Sequence, residues 1–208
     1  MLMLEPEKGS WDIEAYDTKA RFASYWHQIN EIVSHYPHRV LEVGIGTGFV
    51  SNYLKKYYCR YLEVTTVDIT EKYDQPDILT SVLTMDFKED PFDLAHYDLV
   101  SCFQVLEHLP FSSFPEALQK LRKASSHYVI VSLPDRRKKL RISLPFFREK
   151  TFRLPFNRKE MDKEHCWEIE DLQQIRDIFA ECLLEILKEY PIYENDNRMF
   201  ICKRRDGK

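Results

Sequence analysis

No stretch of about 18 apolar residues occurs in the 208-residue chain, so no membrane-spanning helix is expected. The opening residues, MLMLEPEKGSWDIE, turn acidic at once and lack a basic segment followed by a long apolar one, so no signal peptide is expected. The five cysteines (Cys59, Cys102, Cys166, Cys182 and Cys202) are odd in number and widely spaced. With no Cys-x-x-Cys and no paired-histidine spacing, neither a zinc site nor a disulfide framework is expected, and no metal is assigned. Reduced thiols fit a cytoplasmic protein. Internal repeats and low-complexity tracts are also missing. A composition with 44% hydrophobic residues excludes an intrinsically disordered chain. The length suits one domain, large enough to bury about 70% of its unfolded surface without a staple.

Charge of one sign is scarce only when the whole chain is counted. The net charge of −4 gives no general affinity for polyanions. Residues 136–159, however, hold ten Lys/Arg against the single acid Glu149, a local excess of nine positive charges on a chain otherwise at −13. Phe146, Phe147, Phe152 and Phe156 interleave with those charges. The segment is expected to lie outside the core as a basic cap, suited to an anionic acceptor with an apolar part or to peripheral contact with an anionic membrane. It also suits stacked bases of a nucleic acid.

Along the chain, Phe22, Tyr25, Trp26, Ile29, Ile32 and Val33 fall at helical spacing, predicting an amphipathic helix packed on the core, capped by Asp17 or Thr18 and ended by Pro37. Short β-rich runs follow at 39–43, 61–67, 78–85, 97–103 and 127–133, with helical stretches at 49–57 and around Ala117–Ala124. This alternation predicts right-handed βαβ units on a parallel sheet covered on both faces. Ile169, Leu172, Ile175, Ile178 and Phe179 predict a further helix. The runs 184–190 and 198–204 flank the turn-rich Glu194-Asn195-Asp196-Asn197 and predict an antiparallel hairpin.

The chemistry concentrates where the first strand breaks at Gly44-Ile45-Gly46-Thr47-Gly48. A strand ending in glycines before a helix lets backbone approach a ligand of nucleotide type. The dinucleotide spacing Gly-x-Gly-x-x-Gly is absent, since Ser51 stands at the third position, and no Gly-Lys-Ser/Thr of a Walker loop exists. Glu42, two residues before the first glycine, disfavours a pyrophosphate and favours a cationic ligand. Asp68 ends the second strand and is placed to accept ribose hydroxyls. These residues together point to a ligand with a ribose, a positive charge and no phosphates.

The segment Val40-Leu41-Glu42-Val43-Gly44-Ile45-Gly46-Thr47-Gly48 resembles motif I of the class I S-adenosylmethionine-dependent methyltransferases, small single-domain members of the type 11 kind. Val67-Asp68-Ile69, Met85-Asp86-Phe87 and the run Asp98 to Pro110 resemble that family's later motifs, in order, across residues 38–134. The resemblance implies a three-layer Rossmann-like α/β sandwich with a mostly parallel seven-stranded sheet and an antiparallel C-terminal strand. It divides one domain into an N-terminal arm and helix (1–37), a cofactor-binding half (38–134), a basic insertion or cap (135–165) and a C-terminal helix and hairpin (166–208). It implies S-adenosyl-L-methionine as cofactor, with Gly44, Gly46 and Gly48 around the methionine part. Glu42 would order that loop or meet the ammonium. Asp68 would hold the ribose, Ile69 pack on the adenine, and Asp86 accept from its amino group beside the Phe87 backbone. Phe103 and Gln104 would lie near the methionine moiety, and Tyr16 and Arg21 would close over it.

The acceptor is not written in these motifs. No Asn-Pro-Pro-Tyr-type motif and no catalytic-cysteine signature is present. A small molecule, a sugar or a lipid-linked intermediate is the first expectation; nucleic acid, protein and a non-catalytic cofactor-binding role are alternatives. Two histidines are the catalytic candidates. His165 precedes the last core helix in His165-Cys166-Trp167-Glu168, either as an acceptor-side base or within a helix-capping turn whose Trp167 packs in the core. His108 follows Glu107 in a pair whose simplest reading is capping and packing.

Overall fold

The computed structural model describes residues 18–58, 61–68, 81–84, 97–142, 150–158 and 160–205. Helix α1 spans Lys19–Val33, and the Thr18 hydroxyl caps it by accepting from the Arg21 backbone N–H at 3.2 Å. Strand β1 (Arg39–Val43) leads through the glycine loop into the short helix α2 (Phe49–Tyr53), which continues as a π-turn over Leu54–Tyr58. Strands β2 (Glu63–Asp68), β3 (Ser81–Thr84) and β4 (Tyr97–Phe103) follow. Helix α3 (Phe114–Ala124), with Pro115 in its first turn, leads into β5 (Ser125–Pro134). The basic segment forms β6 (Arg137–Ile142) and β7 (Lys150–Arg158), and the chain ends with α4 (Leu172–Glu181), β8 (Leu184–Ile192) and β9 (Asn197–Arg204).

One sheet runs in the order β3-β2-β1-β4-β5-β9-β8. Its first five strands are mutually parallel, β9 is antiparallel to β5, and β8 is antiparallel to β9, so β9 alone opposes the rest. Strands β6 and β7 pair with each other as a separate antiparallel hairpin. The period-two alternation of a strand feeds two cores. Leu41, Val100, Val129 and Phe200 join α3 and α4 on one face; Val40, Leu99, Ile130 and Ile201 join α1 and α2 on the other. Because β1 lies between β2 and β4 with Val43 opposite both Val67 and Cys102, their C-terminal ends finish level. The strand order reverses there, where open α/β sheets leave a ligand crevice.

Two expectations need correction. The stripe on α1 is not all core: Phe22 and Trp26 are each 62% exposed, and the helix instead buries Ser24, Gln28 and Glu31 beside Ile29 and Ile32. Polar burial is tolerated because partners exist. Gln28 donates to Ser24 at 3.1 Å, and Glu31 accepts from Lys188 and Tyr190 on β8. Ile169 does not start the last helix; it bridges to Asp135 beyond the end of β5, and the Asp171 side chain caps α4 at Leu172. The basic run begins in ion pairs. Arg137 pairs with the buried Asp135 at 2.6 Å, an acid shared with Arg198, and Arg136 pairs with Glu170.

Candidate active site

The sheet's C-terminal edge opens into a cavity of about 790 Å³, within the ~300–1,000 Å³ of small-molecule sites. The strand order divides its walls into two sides. On one side stand the glycine loop after β1 and Asp68 at the end of β2. On the other stand Pro134 from β5, Asn195 from the β8–β9 turn, Asn197 at the start of β9, and the segment around His165. Phe103 and Gln104, at the end of β4, lie between them.

Backbone geometry builds the first side. Gly44 has φ +80, and a Cβ there would sit 2.1 Å from the Val105 Cγ2, so side chain and conformation both exclude any other residue. The Gly44 N–H donates to the Val67 carbonyl at 2.8 Å, carrying the ladder one residue past β1. Gly46 lines the cavity, and Gly48, at φ +71, turns the chain into α2. Asp68 reaches back to this loop, its Oδ2 accepting from the Ile45 N–H at 3.0 Å. Glu42 is buried beneath the loop and accepts from the Ser51 hydroxyl on α2. Burial pushes its carboxyl up to about 7, against the lowering effect of the Ser51 bonds. Glu42 thus ties the end of β1 to α2 through Ser51.

From α1, Arg21 donates to the Gln104 side chain, and the Tyr25 hydroxyl meets Thr47 at 3.0 Å. The Tyr25 ring stacks on Phe49 with centroids 4.7 Å apart. Gln104 itself holds φ +56, an uncommon conformation for a side-chain-bearing residue and one that concentrates at binding sites. The periodicity marked Tyr25 only as packing, so the sequence held no signal of its place in the wall. Ile69, Asp86 and Phe87, like Tyr16 and Cys59, lie outside the described residues.

The second side is assembled from distant segments. A 3-10 turn, Leu106–His108, follows β4. Residues 162–169 fold against it through a set of fixed contacts. The Cys166 N–H donates to the Glu107 carbonyl at 2.8 Å, and the Trp167 indole N–H donates to the Leu109 carbonyl at 3.1 Å. The His108 Nδ1–H donates to the Glu164 carbonyl at 3.0 Å. Trp167 is buried among Phe111 and Phe114, so its packing role holds together with a cavity position for its neighbour. His165 lines the cavity, its ring 5.2 Å from that of His108, and its Nδ1–H donates to the buried Glu168 at 3.0 Å. Carbonyl and carboxylate oxygens only accept, so each Nδ1 carries the proton and each Nε2 keeps a lone pair. The Asn195 and Asn197 amide nitrogens are buried without a hydrogen-bond partner. Sequence spacing marked that asparagine-rich stretch as a turn and no more.

Among the described residues no cysteine lines the cavity, and burial pushes the Cys102 and Cys202 thiols up, so neither is an available nucleophile. No helix among them is long and apolar enough to cross a membrane.

A family model described as a methyltransferase domain matches residues 15–189. No curated relative matches the chain in sequence. Solved structures match in fold. Magnesium protoporphyrin IX methyltransferase from Synechocystis PCC 6803, with bound S-adenosylmethionine, is similar at 16% identity and TM-score 0.60, over 95% of this chain and 86% of that one. The 1,6-didemethyltoxoflavin-N1-methyltransferase of Burkholderia thailandensis, with S-adenosylhomocysteine, is similar at 12% identity and TM-score 0.61, over 94% and 82%. The small RNA methyltransferase HEN1 is similar at 15% identity and TM-score 0.66, over 97% of this chain and 27% of that one. With the family match across most of its length, the glycine loop under Gly44 and the acid at the end of β2, the chain belongs to the methyltransferase-domain family and is a class I S-adenosylmethionine-dependent methyltransferase.

Proposed function

We propose that this enzyme methylates a hydroxyl of a small polar acceptor, a sugar or a lipid-linked sugar intermediate. The observation that carries the reading is the second side of the cavity. Two buried amide donors without partners, Asn195 and Asn197, stand there with the Nε2 lone pairs of His108 and His165. Glu160, Asp162 and Glu164 add acceptors to the same wall. Such a wall of close donors and acceptors matches a polyhydroxylated ligand, because each unpaired buried group costs free energy until a partner arrives. The local excess of positive charge in 136–159 suits a phosphate or carboxylate on the same acceptor, although Arg136 and Arg137 are already engaged in ion pairs.

The residues on the first side fit the cofactor. The loop side offers the Asp68 carboxylate, which favours a cationic ribonucleoside over a pyrophosphate, and the cavity has room for one. In this reading Asp68 receives the ribose hydroxyls, Gly44, Gly46 and Gly48 let the backbone approach the amino-acid part, and Phe103 and Gln104 border it. Ile69, Asp86 and Phe87 are assigned to the adenine by their motifs alone. The bound cofactor supplies an already activated methyl group on a sulfonium. What remains for the chain is to align the acceptor, worth about 7–11 kcal/mol in favourable systems, and to remove its proton. His165, held by Glu168 at the cavity wall, assists the loss of that proton, and His108 shares the contact with the acceptor oxygen.

The test is incubation with labelled S-adenosylmethionine and separate pools of sugar nucleotides, lipid-linked sugars, RNA and protein. Label in a hydroxyl of the sugar pools is the expected result. Label in RNA or protein alone would replace this acceptor class, and cofactor binding without any transfer would make the chain a non-catalytic binder.

A further inference from the structure

Alignment and a base are enough for methyl transfer, yet the second side carries one group more than they require. The ligand atoms of Glu107, His108 and His165 all lie within 4.8 Å of one another. Glu107 has no exposed surface, and neither of its carboxylate oxygens has a hydrogen-bond partner. A buried carboxylate is retained at a cost unless a cation pairs with it. The two histidines are oriented as metal-bound imidazoles are: each gives its Nδ1–H to an outer oxygen, on Glu164 for His108 and on Glu168 for His165, and keeps Nε2 for a ligand. One carboxylate and two imidazoles, with the imidazoles lining an open cavity, form a donor set for first-row divalent ions such as Mn²⁺, Co²⁺ and Zn²⁺. Calcium and magnesium prefer oxygen throughout. Sequence spacing gave no reason to expect a metal, because the third ligand comes from a segment far along the chain.

We propose that Glu107 and the Nε2 atoms of His108 and His165 bind one first-row divalent transition-metal ion on the acceptor side of the cavity. The site deepens the proposed function and rests on that reading only for the ion's task. An acceptor hydroxyl takes an open coordination position, its pKa falls, and its proton leaves to solvent. The oxygen then forms its bond to the sulfonium's methyl carbon as the carbon–sulfur bond breaks and the thioether leaves, and the histidines assist as ligands of the ion rather than by taking the proton themselves.

The experiment uses the full chain, stripped with a chelator and titrated with Mn²⁺ followed by electron paramagnetic resonance, and with Co²⁺ followed by its visible absorption. One ion per chain at micromolar strength is expected. Glu107→Gln and His165→Asn should each weaken binding at least tenfold. Glu168→Gln, which reaches the ion only through His165, should weaken it about 10–100-fold. Calorimetric binding of S-adenosylhomocysteine, measured on the same samples, should not change with Glu168→Gln or with stripping. If Glu107→Gln melts early, the partly exposed His165 carries the test. Absence of stoichiometric binding, or binding equally tight in both ligand variants, overturns the site. Loss of S-adenosylhomocysteine binding by the unaltered chain would overturn the methyltransferase reading and leave an intact ion titration standing.

Discussion

The two sides of the cavity are built on opposite principles. The glycine-loop side is made by backbone: three positive-φ glycines, a ladder bond from Gly44 to Val67, and the Asp68 carboxylate reaching across from the next strand. Its shape is set by local chain geometry, and its side chains mainly adjust charge. The histidine side is made by side chains on segments that share no local geometry, held by hydrogen bonds from residues 162–168 to the turn after β4. The first side therefore tolerates little change of residue size at Gly44, whereas the second should tolerate changes of size better than changes of chemistry.

Breaking the backbone side should have the largest effect. Gly44→Ala adds a Cβ inside the Val105 side chain at a positive φ, and should cost about 2–5 kcal/mol of stability together with cofactor binding. Urea unfolding and calorimetry with S-adenosylhomocysteine read both, and wild-type values in each would mean that the loop is not backbone-determined.

On the side-chain wall the effect should be selective. His165→Asn should reduce turnover by about 100-fold or more while cofactor affinity stays level. Parallel losses in melting temperature and cofactor binding, with no separate rate defect, would return His165 to packing alone.

Asp68→Ala sharpens the comparison, since Asp68 is a side chain serving the backbone side. Losing its charge-assisted bonds should lower cofactor affinity about tenfold or more with the sheet intact. A dissociation constant equal to wild type would limit Asp68 to holding the Ile45 N–H.

The smallest effect concerns Glu42. Its carboxyl is raised to about 7 by burial, so between roughly pH 4.5 and 7 the folded chain keeps a proton that the unfolded chain releases. The contribution of Glu42 to stability is therefore lost as pH rises through that window and is level above it. Glu42→Gln, neutral and equal in size, should remove this slope between pH 5 and 8. Thermal melts of both forms across that range check it; identical pH profiles would mean that Glu42 does not hold the proton.

Much of the sheet was legible because β-rich runs and glycine breaks are local signals. The parallel strands, the antiparallel pairing of β8 with β9 and the place of Asp68 followed from spacing alone. The α1 stripe misled, since periodicity reports which residues share a face and not what covers that face. Phe22 and Trp26 share it and remain exposed, while Gln28 and Glu31 are buried by partners on other elements. Nor does a run of charge such as Arg136-Arg137 announce the buried Asp135 beside it.

By itself the sequence determined the strand–helix alternation, the glycine loop and the acid that ends β2, because each depends on residues within a few positions or on the end of one strand. Only the tertiary structure decided that His165 meets His108, that Asn195 and Asn197 face the same cavity, and that Glu107 is buried with no partner. Those contacts depend on where a segment returns after β5 and which turn receives it. That return is governed by burial of Trp167 and by the hydrogen bonds of residues 162–169, neither of which leaves a periodic trace in the chain.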